Sequence, residues 1–170
     1  MRHSFYGGSM TRSGDDYIRG LRDGRTVLVN GERVADVTAH PAFAAAIRTV
    51  ARLYDLADAS SNRELMTYPS PRDGRPINKA WLVPRTRADL AARRRAIKFW
   101  ADASYGFLGR SPDHVASFFA GFVGAPAFYS RGGQQFADNL LRFAAKAADE
   151  DLYLSYVIVH PTIDRAKPAH

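Results

Sequence analysis

Leu108-Gly109-Arg110-Ser111-Pro112-Asp113-His114 places a lone arginine directly in front of a strongly signalled helix start. The apolar run from Val115 to Phe128 supplies the helix body. Ser111 is placed to cap that helix, Pro112 suits its first turn, and Asp113 complements the positive end of the macrodipole. A guanidinium, free backbone N–H groups and the His114 imidazole then converge on one small volume. Such a volume is built to hold an anion or an anionic transition state. The same pattern also describes an ordinary capped helix whose arginine faces water.

Downstream, the helix is expected to break near Gly124-Ala125-Pro126, because proline cannot continue it. Gly132-Gly133 separates it from a helix over Gln134 to Asp149. The segment from Leu152 to Val159 is apolar and β-branched at its end, so it reads as extended until Pro161 stops it. Upstream, Thr86-Arg87-Ala88-Asp89 resembles a capping box and opens a long helix towards Ser104. Leu90, Ile97 and Trp100 are expected on its inward face, with Arg93, Arg94, Arg95 and Lys98 spread around the remainder. Tyr68 to Pro76 reads as a loop, and Ile77 to Val83 as an extended piece closed by Pro84.

Nearer the N-terminus, His40-Pro41 precedes a helix with Phe43, Ile47, Val50, Leu53 and Tyr54 at helical spacing. Asn30-Gly31 joins Thr26–Val29 to Glu32–Val34 as a hairpin. Ser13 caps a short helix through Asp16, Tyr17, Ile18 and Leu21, which Gly24 ends. Met1 to Met10 reads as a flexible leader. The expected architecture is mainly α, with one small β-hairpin near the N-terminus and an extended C-terminal segment.

At 170 residues, with 46% apolar and 24% charged residues, the chain suits one domain with a substantial core. No apolar stretch approaches the roughly 18 residues that span a bilayer. No apolar block follows Arg2 and His3, so no secretory signal is read. The chain has no cysteine, which removes disulfides, thiolate ligands and cysteine nucleophiles and fits a cytoplasmic location. The net charge of +7 has no accompanying nucleic-acid-reading motif, so no nucleic-acid partner is expected. Five histidines, His3, His40, His114, His160 and His170, lack metal-ligand spacing. No phosphate-binding glycine loop and no nucleophile elbow appears. Tyr156 and His160 sit in the last apolar segment, ahead of the turn Pro161-Thr162-Ile163-Asp164-Arg165. That turn reads either as a ligand-presenting corner or as an ordinary one.

Several ordered stretches together resemble the oxygenase component of two-component, flavin-dependent phenol hydroxylases, the 4-hydroxyphenylacetate 3-monooxygenase family. They are Thr11-Arg12-Ser13-Gly14-Asp15-Asp16-Tyr17, Gly31-Glu32-Arg33-Val34, Thr38-Ala39-His40-Pro41-Ala42-Phe43 and Leu53-Tyr54-Asp55. The likeness is sharpest at Gly109-Arg110-Ser111-Pro112-Asp113 and from Asp151 to Arg165. It covers nearly the whole chain after residue 10 but only the N-terminal part of the family's protein. Residues 11–170 then correspond to the N-terminal helical domain of a fold similar to that of acyl-CoA dehydrogenases. The family's central β domain and C-terminal helical bundle are not included.

The resemblance implies a reaction in which a separate reductase provides FADH2. The oxygenase uses it with O2 to hydroxylate a phenolic substrate ortho to its hydroxyl. The cofactor carries the redox chemistry, and the protein supplies orientation and dryness. By family position, Arg110, Ser111, Pro112, Asp113 and His114 bind the phenolic substrate. Arg110, His114 and Tyr156 carry the catalytic roles, and Thr162, Ile163, Asp164 and Arg165 contact the FAD. No metal is implied, and the complete protein is expected to be a homo-oligomer. The best-known members have tyrosine at the position of His114 and histidine at that of Tyr156. A histidine, unlike a tyrosine, titrates near neutrality. Related 4-hydroxybutyryl-CoA dehydratases hold an iron–sulfur cluster through cysteines of this region, which are absent here. The competing reading is a non-catalytic helical domain or assembly module.

Overall fold

The computed structural model describes residues 11–156; the expected leader and the 157–170 segment lie outside the described residues. Seven α-helices and two short antiparallel hairpins follow one another among these residues. They are α1 (Gly14–Gly20), β1 (Leu28–Val29), β2 (Glu32–Arg33), α2 (Pro41–Asp58), α3 (Arg63–Met66), β3 (Thr67–Pro69), β4 (Pro76–Asn78), α4 (Arg87–Ala103), α5 (Asp113–Gly124), α6 (Pro126–Tyr129) and α7 (Gln134–Asp149).

Local chemistry sets most of these boundaries. Ser13 accepts from the Asp16 N–H while Asp16 reaches back to the Ser13 N–H, a reciprocal box that starts α1. Thr86 and Asp89 do the same for α4. His40 caps α2 through its ring nitrogen, with Pro41 in the first turn. Asn30 and Gly31 both take positive φ, 52° and 86°, as a tight hairpin turn requires. α1 ends at Gly20, four residues before Gly24, which lies in the loop that leads to β1 instead.

Two expectations are corrected between residues 67 and 83. The stretch from Tyr68 to Pro76 is a second hairpin, with Thr67 opposite Asn78 and Tyr68 opposite Ile77. Asp73-Gly74 closes its turn, Gly74 at φ 74°. Pro69 faces Pro76 at the ladder's outer end, and beyond them the Ser70 N–H donates to the Arg75 carbonyl at 2.8 Å to close the turn. After Asn78 the chain tightens into a 3₁₀ turn over Lys79–Trp81 instead of continuing extended.

α4 corrects a third expectation. Its inward face is Arg93, Ala96 and Trp100, whereas Leu90 is exposed. Arg93 turns inward because the carbonyls of Ala80 and Leu82 accept its Nη1, and the Ser117 hydroxyl accepts its Nη2. Buried carbonyls need donors, and a guanidinium supplies several in one fork.

The core has two connected parts. One gathers Leu53, Ala57, Met66, Trp81, Ala96, Trp100, Ala116 and Ala147 from α2, α3, the 3₁₀ turn, α4, α5 and α7. The other joins α1 to α2 through Tyr17, Ile47, Val50, Ala51 and Tyr54. The Trp100 indole N–H donates to the Leu53 carbonyl at 2.8 Å, so the largest buried side chain is also satisfied. Leu108 packs against both parts and leads the chain into α5.

Candidate functional site

The start of α5 differs from the simple cap that its sequence suggests. The helix begins at Asp113, and Pro112, buried and in helical geometry, occupies the N-cap position without a side-chain cap. The Ser111 hydroxyl donates to the Asp113 carboxylate instead of accepting a helix N–H. The His114 N–H donates to the Ser111 carbonyl at 3.0 Å, so it is turned back into the helix start. Asp113 is itself buried, and its carbonyl accepts the Ser117 hydroxyl that Arg93 also engages. The negative Asp113 already complements the helix dipole there. The side chains around the helix start, not its N–H groups, are therefore the groups left to meet a ligand.

Three of the expected residues do come together. Arg110 donates through Nη1 to the Tyr156 carbonyl at 3.1 Å, and its guanidinium lies 4.7 Å from the Tyr156 ring centroid. The Tyr156 ring stacks on the His114 imidazole with centroids 5.6 Å apart and planes 22° from parallel. Phe118 meets both edge-on, at 5.2 Å from His114 and 5.5 Å from Tyr156. The result is a cation beside a stack of a phenol and an imidazole, walled by a phenyl ring. Cation–π attraction and aromatic packing each favour that arrangement.

One atom in this cluster is unfinished. His114 Nε2 is buried and has no hydrogen-bond partner among the described residues. Leaving a buried polar atom unmade costs roughly 1–3 kcal/mol, so such an atom marks a place where a ligand or water belongs. Arg110 forms no salt bridge among the described residues, so its charge is uncompensated there. A ligand oxygen carrying negative charge satisfies both groups.

Two residues that the sequence reading left out of the site belong to it. Phe118 lies one helical turn after His114, and that spacing was available as a signal. Tyr153 donates its hydroxyl to the Arg110 carbonyl, a contact across 43 positions that no local pattern reveals. Burial raises the Tyr153 hydroxyl above its ordinary value, against the opposing influence of Arg110, so it remains a donor. Behind Arg110 and Tyr153 opens a mostly apolar hollow of about 360 Å³, lined also by Tyr17, Phe43, Ile47 and Leu108. Thr162, Ile163, Asp164 and Arg165 lie outside the described residues. Among the described residues, no group of three or more metal-ligating side chains occurs and no helix is long and apolar enough to cross a membrane.

The class that fold and site define is a mainly helical domain that brings a guanidinium, an imidazole and a phenol ring together beside the start of α5. Residues 13–170 match the family described as 4-hydroxyphenylacetate 3-hydroxylase N terminal, and the chain belongs to that family. It is 43% identical over 159 residues to the 4-nitrophenol 2-monooxygenase oxygenase component of a Rhodococcus species, covering 92% of this chain and 30% of that protein. It is 40% identical over 163 residues to the (3S)-3-amino-3-(3-chloro-4-hydroxyphenyl)propanoyl-[peptidyl-carrier protein SgcC2] monooxygenase of Streptomyces globisporus, covering 95% of this chain and 30% of that protein. A crystal structure of the 4-hydroxyphenylacetate 3-monooxygenase oxygenase component, complexed with FAD and 4-hydroxyphenylacetate, superposes with a TM-score of 0.81 at 34% identity. That match covers 93% of this chain and 32% of the other. The fold is thus acyl-CoA-dehydrogenase-like, as the family resemblance implies. The chain spans about 30% of the length of the curated relatives it matches.

Proposed function

We propose that this chain is the N-terminal helical domain, residues 11–170, of a reduced-FAD-dependent aromatic monooxygenase. The substrate is a phenol, hydroxylated ortho to its hydroxyl, and a separate reductase provides the reduced flavin. The observation that carries this reading is the unsatisfied His114 Nε2 beside the Arg110 guanidinium and the Tyr156 ring. All three fit a phenolate: a negative oxygen for the two polar groups and an aromatic body for the ring stack. The relatives' names, a nitrophenol and a chlorohydroxyphenyl monooxygenase, support the same substrate chemistry.

Reduced FAD together with O2 supplies the oxygen atom that enters the ring. Arg110 holds the substrate as phenolate, the more nucleophilic form at the ortho carbon, by a charge-assisted contact. His114 gives or accepts the hydrogen bond at the phenolic oxygen. Phe118 and Tyr156 exclude water and fix the plane of the ring. Ser111, Pro112 and Asp113 shape the turn that carries Arg110, and by family position Thr162, Ile163, Asp164 and Arg165 contact the flavin. The complete protein is proposed to be a cytoplasmic homo-oligomer with no nucleic-acid partner.

The test is Arg110→Ala in the complete protein, supplied with reduced FAD and a panel of phenols. Product formation is expected to fall at least tenfold while reduced flavin and O2 still yield hydrogen peroxide, because a misplaced substrate uncouples the reaction. Coupled hydroxylation near the wild-type rate would overturn the reading. A non-catalytic assembly module is the second reading, favoured by the exposed Phe118, Phe122, Phe128, Phe136 and Phe143 of α5–α7. Hydroxylation by the complete protein decides between the two.

A further inference from the structure

Asp151 is buried, yet neither the sequence motifs nor the phenolate reading gives it a task. It lies just past Glu150, the C-cap of α7, and adopts φ 44°, the left-handed region that Asp and Asn tolerate. Its two carboxylate oxygens are both taken: Oδ1 accepts the Trp81 indole N–H at 3.1 Å, and Oδ2 accepts the Asn78 amide at 3.1 Å. Its backbone carbonyl accepts the Tyr54 hydroxyl at 3.0 Å, and Arg12 approaches the same oxygen at 3.5 Å. The donors come from α1's approach, α2, β4 and the 3₁₀ turn, so four parts of the fold meet on one residue.

The chain leaving this knot builds the site. Tyr153, two residues on, donates to the Arg110 carbonyl, and Tyr156, five residues on, receives Arg110 and stacks on His114. Residues 153–156 belong to no helix or strand. Their placement therefore depends on where the segment starts and on the contacts at its end. We infer that Asp151 is a positioning residue, whose carboxylate and carbonyl fasten the segment carrying Tyr153 and Tyr156 so that Tyr156 lies over His114 and under Arg110. The consequence for phenolate binding rests on the reading above; the geometry rests on these contacts alone.

The knot demands two acceptors. Asn78 Oδ1 accepts the Ala80 N–H at 3.0 Å, which fixes the amide so that its NH₂ faces Asp151. The Trp81 indole is a donor only. Asparagine at 151 keeps the favourable backbone but presents one acceptor and one donor, so an N–H is forced against another N–H. Asp151→Asn thus tests the carboxylate without disturbing φ.

The experiment is NMR of the 170-residue chain, reading the His114 imidazole proton signals, assigned by comparison with His114→Gln. In the wild type, stacking by Tyr156 is expected to move these signals away from those of the other histidines. In Asp151→Asn that offset should be lost, while helix content and the Trp100 indole signal stay as in the wild type. A folded Asp151→Asn protein that keeps the full offset would overturn the inference. Should Asp151→Asn fail to fold, Tyr54→Phe deletes the hydroxyl that donates to the Asp151 carbonyl and meets Arg12 there, and keeps the buried ring. A reduced offset there supports the positioning role, and a wild-type offset overturns it. These signals need no flavin and no turnover. A fully coupled Arg110→Ala enzyme would therefore sink the phenolate reading and leave this result standing.

Discussion

At the scale of single residues, the site places function and stability in opposition at His114. Its Nε2 is buried without a partner, while its ring is well packed between Phe118 and Tyr156. Phenylalanine keeps the packing and removes the unsatisfied atom. His114→Phe should therefore raise the stability of the chain, by about 1 kcal/mol, since the penalty for an unmade buried hydrogen bond disappears. In the complete protein the same change should weaken phenol binding roughly tenfold, the worth of one ordinary hydrogen bond. Denaturant unfolding and equilibrium substrate titration measure the two effects separately. A fall in stability would mean that Nε2 is satisfied in the folded chain, and unchanged binding would mean that it does not meet the ligand. Arg93 shows the converse economy: a charged residue that polarity places outside is inside because three acceptors surround it. Arg110 differs from it in receiving one carbonyl and one ring, which leaves donor capacity for a ligand.

Among the elements, α1 is held to α2 more closely than any side chain at Gly14 permits. A Cβ there would lie 2.6 Å from the Ala51 carbonyl oxygen and 2.7 Å from the Asp55 carboxylate, and the Gly14 N–H already donates to Asp55 at 2.7 Å. The carbonyl belongs to a helix interior and cannot move aside. Gly14→Ala is therefore expected to destabilise by about 1–3 kcal/mol through overpacking, although alanine is the better helix former by roughly 1 kcal/mol. Thermal unfolding checks the sign, and a more stable alanine variant would show that propensity outweighs the close approach. Helix positions were legible where the signal is local, as in the Ser13 cap, the Thr86–Asp89 capping box, the Asn30-Gly31 turn and Pro126 after Gly124. Asp73-Gly74 carried a hairpin signal of the same kind, but the three nearby prolines masked it. Arg110, His114 and Tyr156 were legible as a group through the family pattern. The inward turn of Arg93 and the clasp of Tyr153 on Arg110 were not, because each is decided by a partner distant in sequence or by carbonyls that have no letter of their own.

For the molecule as a whole, the knot at Asp151 ties pH to stability in an unusual direction. Burial pushes its carboxyl up from 3.8 to about 6, more than the hydrogen bonds from Asn78 and Trp81 pull it down. Between those two values the folded chain binds a proton that the unfolded chain has released. Stability therefore falls as pH rises through this window, and the cost is complete above about pH 6. A displacement of this size corresponds to about 3 kcal/mol. Surface carboxylates act oppositely: the Arg85 N–H, then the Thr86 hydroxyl and N–H, hold Asp89 below its ordinary value, so its contribution is present at neutral pH and lost in acid. The net profile mixes both kinds, and comparison with Asp151→Asn isolates one. Wild type minus variant should be most favourable to the wild type below about pH 4, where Asp151 is protonated in the folded and the unfolded chain alike. The difference should decline from pH 4 to pH 6.5 by about 2 kcal/mol, since asparagine has no charge to bury. Urea unfolding of both proteins at half-unit pH steps measures it. A difference that stays flat, or that grows as pH rises, would mean that the carboxylate is stabilised in its charged form by Asn78, Trp81 and Arg12, and that burial does not dominate at the residue on which the site segment is hung.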